Sequence, residues 1–148
     1  MPKYIVALRG KYKIKKPEKY LGNYHNVTYR SRWELKTFQF LEQQKNVKFW
    51  ASEEIKIPYF DWKGGRHTYY PDLYFELVNG SKWLIEIKPA SQTRPPKNSK
   101  SKRFYTEQRR WKTNEAKWTA AKDFCDRAGL NWRIWTEKDL NKTLGLNI

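Results

Sequence analysis

Tyr70-Pro71-Asp72-Leu73-Tyr74-Phe75-Glu76-Leu77, the turn Asn79-Gly80, and Lys82-Trp83-Leu84-Ile85-Glu86-Ile87-Lys88 decide how this chain folds. Aromatic and aliphatic residues dominate both runs. Asn-Gly between such runs is the strongest short-range hairpin signal, so strands are predicted from about Tyr69 to Val78 and from Lys82 to Lys88. Side chains two apart share a strand face, which sets Glu86 and Lys88 on one side and Ile85 and Ile87 on the other. If Asp72 lies on the face of Glu86 and Lys88, two carboxylates and an ammonium converge at one end of the hairpin. Paired carboxylates suit Mg²⁺, which takes hard oxygen ligands and fills its octahedron with water and substrate phosphate. A neighbouring lysine can orient or deprotonate an attacking water and offset the negative charge that develops.

The hairpin carries a parity condition. A two-residue turn at Asn79-Gly80 would pair residues whose numbers sum to 159, placing Asp72 opposite Ile87 and on the wrong face. Sharing a face with Glu86 and Lys88 requires an even sum. A three-residue loop is therefore predicted, such as a type I turn with Gly80 left-handed and a G1 bulge, or else a bulge within a strand.

Outward from the hairpin, Ser31 to Lys45 reads as a helix, with Ser31 and Glu34 in capping-box spacing and Trp33, Leu35, Phe38, Phe40 and Leu41 as its apolar surface. A strand is predicted over Phe49 to Tyr59, with Pro58 at its end or on an edge. Lys63-Gly64-Gly65-Arg66 is a turn. Pro89 to Arg103, with three prolines, reads as a basic loop. A long helix is predicted from Thr106 to Ala128, stopped by Gly129, followed by a strand from Trp132 to Trp135 and a terminal helix capped by Thr136 and Asp139. Residues 1–30 read as a basic N-terminal arm, with eight Lys or Arg against Glu18 alone, and interleaved tyrosines pack parts of it down. Residues 31–148 form the domain proper. The order helix, three-stranded hairpin sheet, long helix, strand, helix gives an α/β single domain around one sheet.

At 148 residues there is room for one compact domain, and 31 Lys and Arg against 15 Asp and Glu give a net charge of +16. Self-repulsion on that scale is offset by a polyanion or an anionic surface. The 39% apolar and 17% aromatic content excludes a disordered basic tail. One cysteine excludes a disulfide framework and a cysteine zinc site and fits a reducing compartment. The run Tyr4 to Leu8 is too short for a signal sequence or a membrane span. The expectation is a soluble, cytoplasmic protein attracted to polyanions.

Glu34 has two readings, as the reciprocal partner of Ser31 in the helix cap or as a third acid of the site. Glu53 and Glu54 read as a solvated strand edge, with Glu54 able to reach the site from the neighbouring strand. His25 and His67 lack metal-ligand spacing and read as surface histidines. Cys125 falls on the apolar stripe of the long helix. Arg94, Lys97, Lys100, Lys102 and Arg103 follow the Glu-x-Lys strand, and Arg109, Arg110 and Lys112 open the next helix. These eight read as phosphate contacts that position a duplex without reading its sequence. Ser91 and Gln92 are further candidates for backbone hydrogen bonds.

Pro71-Asp72 followed, after thirteen intervening residues, by Glu86-Ile87-Lys88 resembles the PD-(D/E)XK nuclease signature. Gly10-Lys11-Tyr12, Tyr29-Arg30-Ser31-x-Trp33-Glu34, Trp50-Ala51-Ser52-Glu53-Glu54 and Glu86-Ile87-Lys88-Pro89 extend the resemblance, from about Gly10 to Leu140, to the head-completion nucleases of T-even-type tailed phages. The resemblance implies a restriction-endonuclease-like core and a DNA nuclease using Mg²⁺ or Mn²⁺. Asp72 and Glu86 would be metal ligands, Lys88 the catalytic base or water-positioner, and Glu34 a holder of metal or water. It further implies double-stranded DNA as substrate and capsid, portal or head–tail connector proteins as partners, with no membrane. Action would come late in assembly, in the host cytoplasm or on the virion. Two rivals stand beside it: a structure-specific or transposon-end nuclease that needs a partner, and a non-catalytic DNA-binding assembly factor.

Overall fold

The computed structural model describes residues 9–98 and 100–148, so Lys3 and the run Tyr4 to Leu8 lie outside the described residues. Ten of the elements it describes in chain order are strands β1 (Gly10–Lys11), β2 (Thr28–Tyr29), β3 (Val47–Ser52), β4 (Ile57–Phe60), β5 (Arg66–Tyr69), β6 (Leu73–Leu77), β7 (Lys82–Ile87) and β8 (Asn131–Trp135), with helices α1 (Arg32–Gln43) and α2 (Lys102–Ala128). Helix α3 (Glu137–Lys142) follows β8, and short 3-10 turns cover Pro17–Lys19 and Ala90–Gln92. The central sheet has the order β3-β6-β7-β8, antiparallel except for the parallel β7–β8 pair that α2 bridges.

Alternation along β7 divides the core. Ile85 and Ile87 join Trp50, Leu73, Phe75, Phe38, Leu41 and Leu140 on the face covered by α1 and α3. Leu84 joins Trp118, Ala121 and Cys125 of α2 on the other. The segment from Gly10 to Arg30 packs onto the first of these faces. Tyr20 and Val27 are buried in that core, and the Tyr12 hydroxyl donates to Glu42 at 2.7 Å. Lys19 donates its ammonium to the carbonyls of Leu41, Glu42 and Gln44, closing the C-terminal end of α1. These contacts are how the tyrosine-rich arm packs down.

Three expectations are corrected. The predicted strand Phe49 to Tyr59 is two strands in two sheets: β3 in the central sheet, and β4 in a separate hairpin with β5. The chain leaves the sheet at Glu53, whose φ of 54° is left-handed, and Pro58 sits inside β4, an edge strand with β5 as its partner. The predicted strand Tyr69 to Val78 divides likewise, at Tyr70-Pro71-Asp72, into β5 and β6. The three predicted strands are β3, β6 and β7, joined in one sheet by the predicted strand β8, and the splits add the β4–β5 hairpin. Helix α2 begins at Lys102, not Thr106, because the Ser101 hydroxyl accepts the Phe104 N–H.

The helix ends follow their sequence signals. Ser31 caps α1 and Gly129 (φ 74°) ends α2 in the left-handed region. Thr136 and Asp139 form a full capping box on α3. Thr136→Ala is expected to cost about 1 kcal/mol of stability, read as a lower urea midpoint at unchanged m-value.

Candidate active site

The β6–β7 hairpin meets the parity condition. Its pairs, Leu73↔Ile85 through Glu76↔Lys82, all sum to 158. Gly80 N–H donates to Leu77 O and Leu77 N–H to Ser81 O, each at 2.9 Å, and Gly80 has a φ of 90°. That is a type I turn closed by a G1 bulge, leaving Val78, Asn79 and Gly80 as a three-residue loop. Continuing the register by one residue sets Asp72 opposite Glu86, on the face that also carries Lys88.

Hydrogen bonds fix each group. Asp72 Oδ2 accepts the Ile87 N–H at 2.7 Å. Glu86 is buried; its Oε1 accepts the Tyr69 hydroxyl at 2.5 Å, and its Oε2 lies 3.7 Å from Lys88 Nζ. Lys88 donates its own N–H to Trp135 O at 2.9 Å, anchoring the strand end to β8. Glu34 makes only half of the capping box. Its backbone N–H donates to Ser31 Oγ, while its buried carboxylate accepts the Arg30 N–H at 3.4 Å rather than closing a box on Ser31. The carboxylate therefore stands free of the cap and feels the charge of Glu86.

Burial and mutual repulsion dominate the electrostatics. Desolvation first, then the charges of Glu86 and Glu34, hold Asp72 well above the ordinary carboxylate range, against the Ile87 N–H and Lys88. Desolvation also raises Glu34 to about 7, helped by Glu53 and Glu86 and opposed by Arg30. Burial and the Glu86 charge hold Tyr69 far above an ordinary phenol, so it remains a hydrogen-bond donor. Between pH 4.5 and 7 the folded state therefore binds more protons at Glu34 than the unfolded chain does. In EDTA, stability is expected to fall as pH rises through that window, with the full cost, about 3 kcal/mol, present above it. Thermal unfolding at about pH 5 and pH 8 measures this, and Glu34→Gln should make the slope shallower while leaving the share that Asp72 carries. A midpoint that climbs with pH would contradict the burial of Glu34.

Two residues escaped the sequence reading. Glu53 lies beside Glu34, held by the Arg30 guanidinium on both carboxylate oxygens at 3.1 and 3.2 Å, and it donates its N–H to Asp72 O. Glu54 is exposed, as a solvated edge residue should be, and lies against Gly22. Tyr69 was read as an ordinary strand residue. Neither Glu53 nor Tyr69 carries a sequence signal, since a left-handed glutamate and a donor from a separate hairpin are products of the tertiary fold. His25 and His67 are exposed, and Cys125 is buried in the core.

The eight basic candidates are all exposed, along the loop and the first three turns of α2. Lys102 and Arg103, expected in the loop, belong to the helix. Arg103 pairs with Glu107 at 2.8 Å, and Lys112 lies over the Trp62 ring at 5.0 Å. Among the described residues no group of three or more His, Cys, Asp or Glu forms a metal cage, and no helix is long and apolar enough to cross a membrane.

Comparison with known proteins places these residues in a family context. The model of the TnsA-like endonuclease N-terminal family matches residues 44–137, a span that holds Asp72, Glu86 and Lys88 and leaves Glu34 outside. The head completion nuclease of Enterobacteria phage T4 is 35% identical over 142 residues, covering 91% of this chain and 95% of the relative.

Proposed function

The chain belongs to the TnsA-like endonuclease family, and from that premise we propose that it is a divalent-metal-dependent deoxyribonuclease of the PD-(D/E)XK type, hydrolysing double-stranded DNA with little sequence preference. Residues 31–148 would be the nuclease domain, with the basic arm of residues 1–30 as its extension. The supporting observation is the even register that sets Asp72 opposite Glu86 with Lys88 on the same face.

The donor set fits Mg²⁺ or Mn²⁺. Asp72 and Glu86 offer hard oxygen atoms, their neighbourhood holds more negative charge than it neutralises, and Mg²⁺ needs only one or two carboxylates beside water and phosphate. Asp72 and Glu86 would hold the ion, with Glu34 holding an ion or a water. The bound ion would polarise the phosphate and spread its charge. Lys88 orients the attacking water, accepts or shares its proton, and offsets charge at the phosphorus. Tyr69 keeps Glu86 oriented by donating to Oε1. The basic band holds the duplex by its phosphates.

The T4 relative is named for head completion. By that likeness this chain would act on packaged DNA before head–tail joining, in the host cytoplasm or on the virion, close to capsid, portal or connector proteins. The test is cleavage of linear and supercoiled duplex with Mg²⁺, Mn²⁺ or EDTA. Cutting that needs the metal is the expected result, and opening of the supercoil identifies endonuclease action. A second reading is a structure-specific or transposon-end nuclease that needs a partner protein. It predicts salt-sensitive DNA binding without cutting by the chain alone.

A further inference from the structure

We propose that the cleft between the Ala90–Gln92 turn and the first half of α2 is a mononucleotide pocket that takes one unpaired deoxynucleotide of the bound DNA strand beside the reacting phosphate. The proposal rests on the nuclease reading for its biological use, but the pocket stands on its own geometry. The cleft has a volume of about 460 Å³, the scale of a small-ligand site, and Arg94, Arg103, Arg110, Trp111, Asn114 and Gln92 line it.

Asn114 is the telling residue. It is 6% exposed and lines the cleft. An amide set in the wall of a cleft is available to a ligand or water there. Trp111, half-buried, is braced edge-on by Trp118 with ring centroids 6.0 Å apart, and offers an aromatic surface beside that amide. Bases stack on such surfaces, and amide side chains pair with base edges. Three arginines against Glu107, which already pairs with Arg103, leave the lining with an excess of positive charge suited to a phosphate. An aromatic ring, amides and guanidinium groups together match a nucleotide better than they match an inorganic anion.

The position connects the pocket to the site. Gln92 follows Lys88 by four residues, and Asn114 precedes Trp118 by about one helical turn, or roughly 6 Å along the axis. Trp118 packs in one cluster with Tyr69, which donates to Glu86. A nucleotide seated there would place its neighbouring phosphate toward Glu86 and Lys88.

The test is calorimetric titration of the full chain in EDTA with dAMP, deoxyadenosine and inorganic phosphate, which needs no cutting. The expected result is dAMP binding at least tenfold tighter than either deoxyadenosine or phosphate, weakened at least fivefold by Asn114→Ala and by Arg110→Ala. Arg110 is exposed, so its variant reports binding even if Asn114→Ala fails to fold. Binding of dAMP no tighter than phosphate, or dAMP affinity untouched by Arg110→Ala, overturns the proposal. Failure of the nuclease reading looks different: dAMP binds as expected while no DNA is cut with either metal.

Discussion

Asp72→Asn is expected to remove metal-dependent cutting, and Lys88→Ala to lower turnover by roughly 10²–10⁴-fold, the usual contribution of a positioned proton-transfer group. The Asp72 variant should lose more, because on the proposed mechanism it takes away a carboxylate that would bind the ion and that opposes Glu86 across the hairpin. Asparagine is the informative replacement. Its amide oxygen can still accept the Ile87 N–H that Asp72 Oδ2 accepts at 2.7 Å, so the strand end keeps its hydrogen bond. Removing a carboxylate from an over-negative cluster should also raise the stability of the metal-free protein above pH 7, and tighten duplex binding in EDTA. Single-turnover cleavage, thermal unfolding and filter binding on the same preparation separate these effects. Loss of cutting together with loss of binding and of the folded state would point to a structural role for Asp72. Full activity in Asp72→Asn would end the metal-ligand assignment.

Much of the candidate site's geometry could be read because its logic is local. The Asn79-Gly80 turn and the spacing from Asp72 to Glu86 constrain each other through strand parity alone, so the three-residue loop followed from sequence numbers before any coordinates. Ser31, Gly129 and Thr136 with Asp139 mark helix ends by their own backbone chemistry. The errors arose where tertiary packing decides. Ile55, Ile57 and Tyr59 alternate as one strand face would, and Trp50, five positions before Ile55, falls on the other face; Trp50 is buried with α1 whereas Ile57 and Tyr59 are buried with α2. Period-two alternation says that a residue is covered, not which layer covers it. The early start of α2 was hidden for the opposite reason. Its first turns are basic and exposed, so no apolar periodicity marks them, and Ser101 gives the signal only once the helix is known. Arg30 and Glu53 contribute to the site by a salt bridge across 23 positions, which spacing rules do not reach.

DNA affinity should fall steeply with salt, with log K against log salt at a slope near −5. The argument starts from eight exposed cations, Arg94, Lys97, Lys100, Lys102, Arg103, Arg109, Arg110 and Lys112. Two have competing engagements in the free protein: Arg103 with Glu107 at 2.8 Å, and Lys112 with the Trp62 ring at 5.0 Å. Six remain to replace counterions, and each phosphate neutralised on B-DNA contributes about 0.9 to the slope. Raising salt from about 50 to 200 mM should then weaken binding roughly 10³-fold. Lys97→Ala should make the slope shallower by about 1, whereas Arg103→Ala should change it less, because its charge is already partly met by Glu107. The same arithmetic bears on catalysis. An interface that draws its affinity from phosphates carries little sequence information, so cutting at elevated salt should decline through KM with kcat preserved. A slope near −2 would mean that the band along α2 faces away from the duplex, and would move the DNA path to the basic surface of residues 9–30.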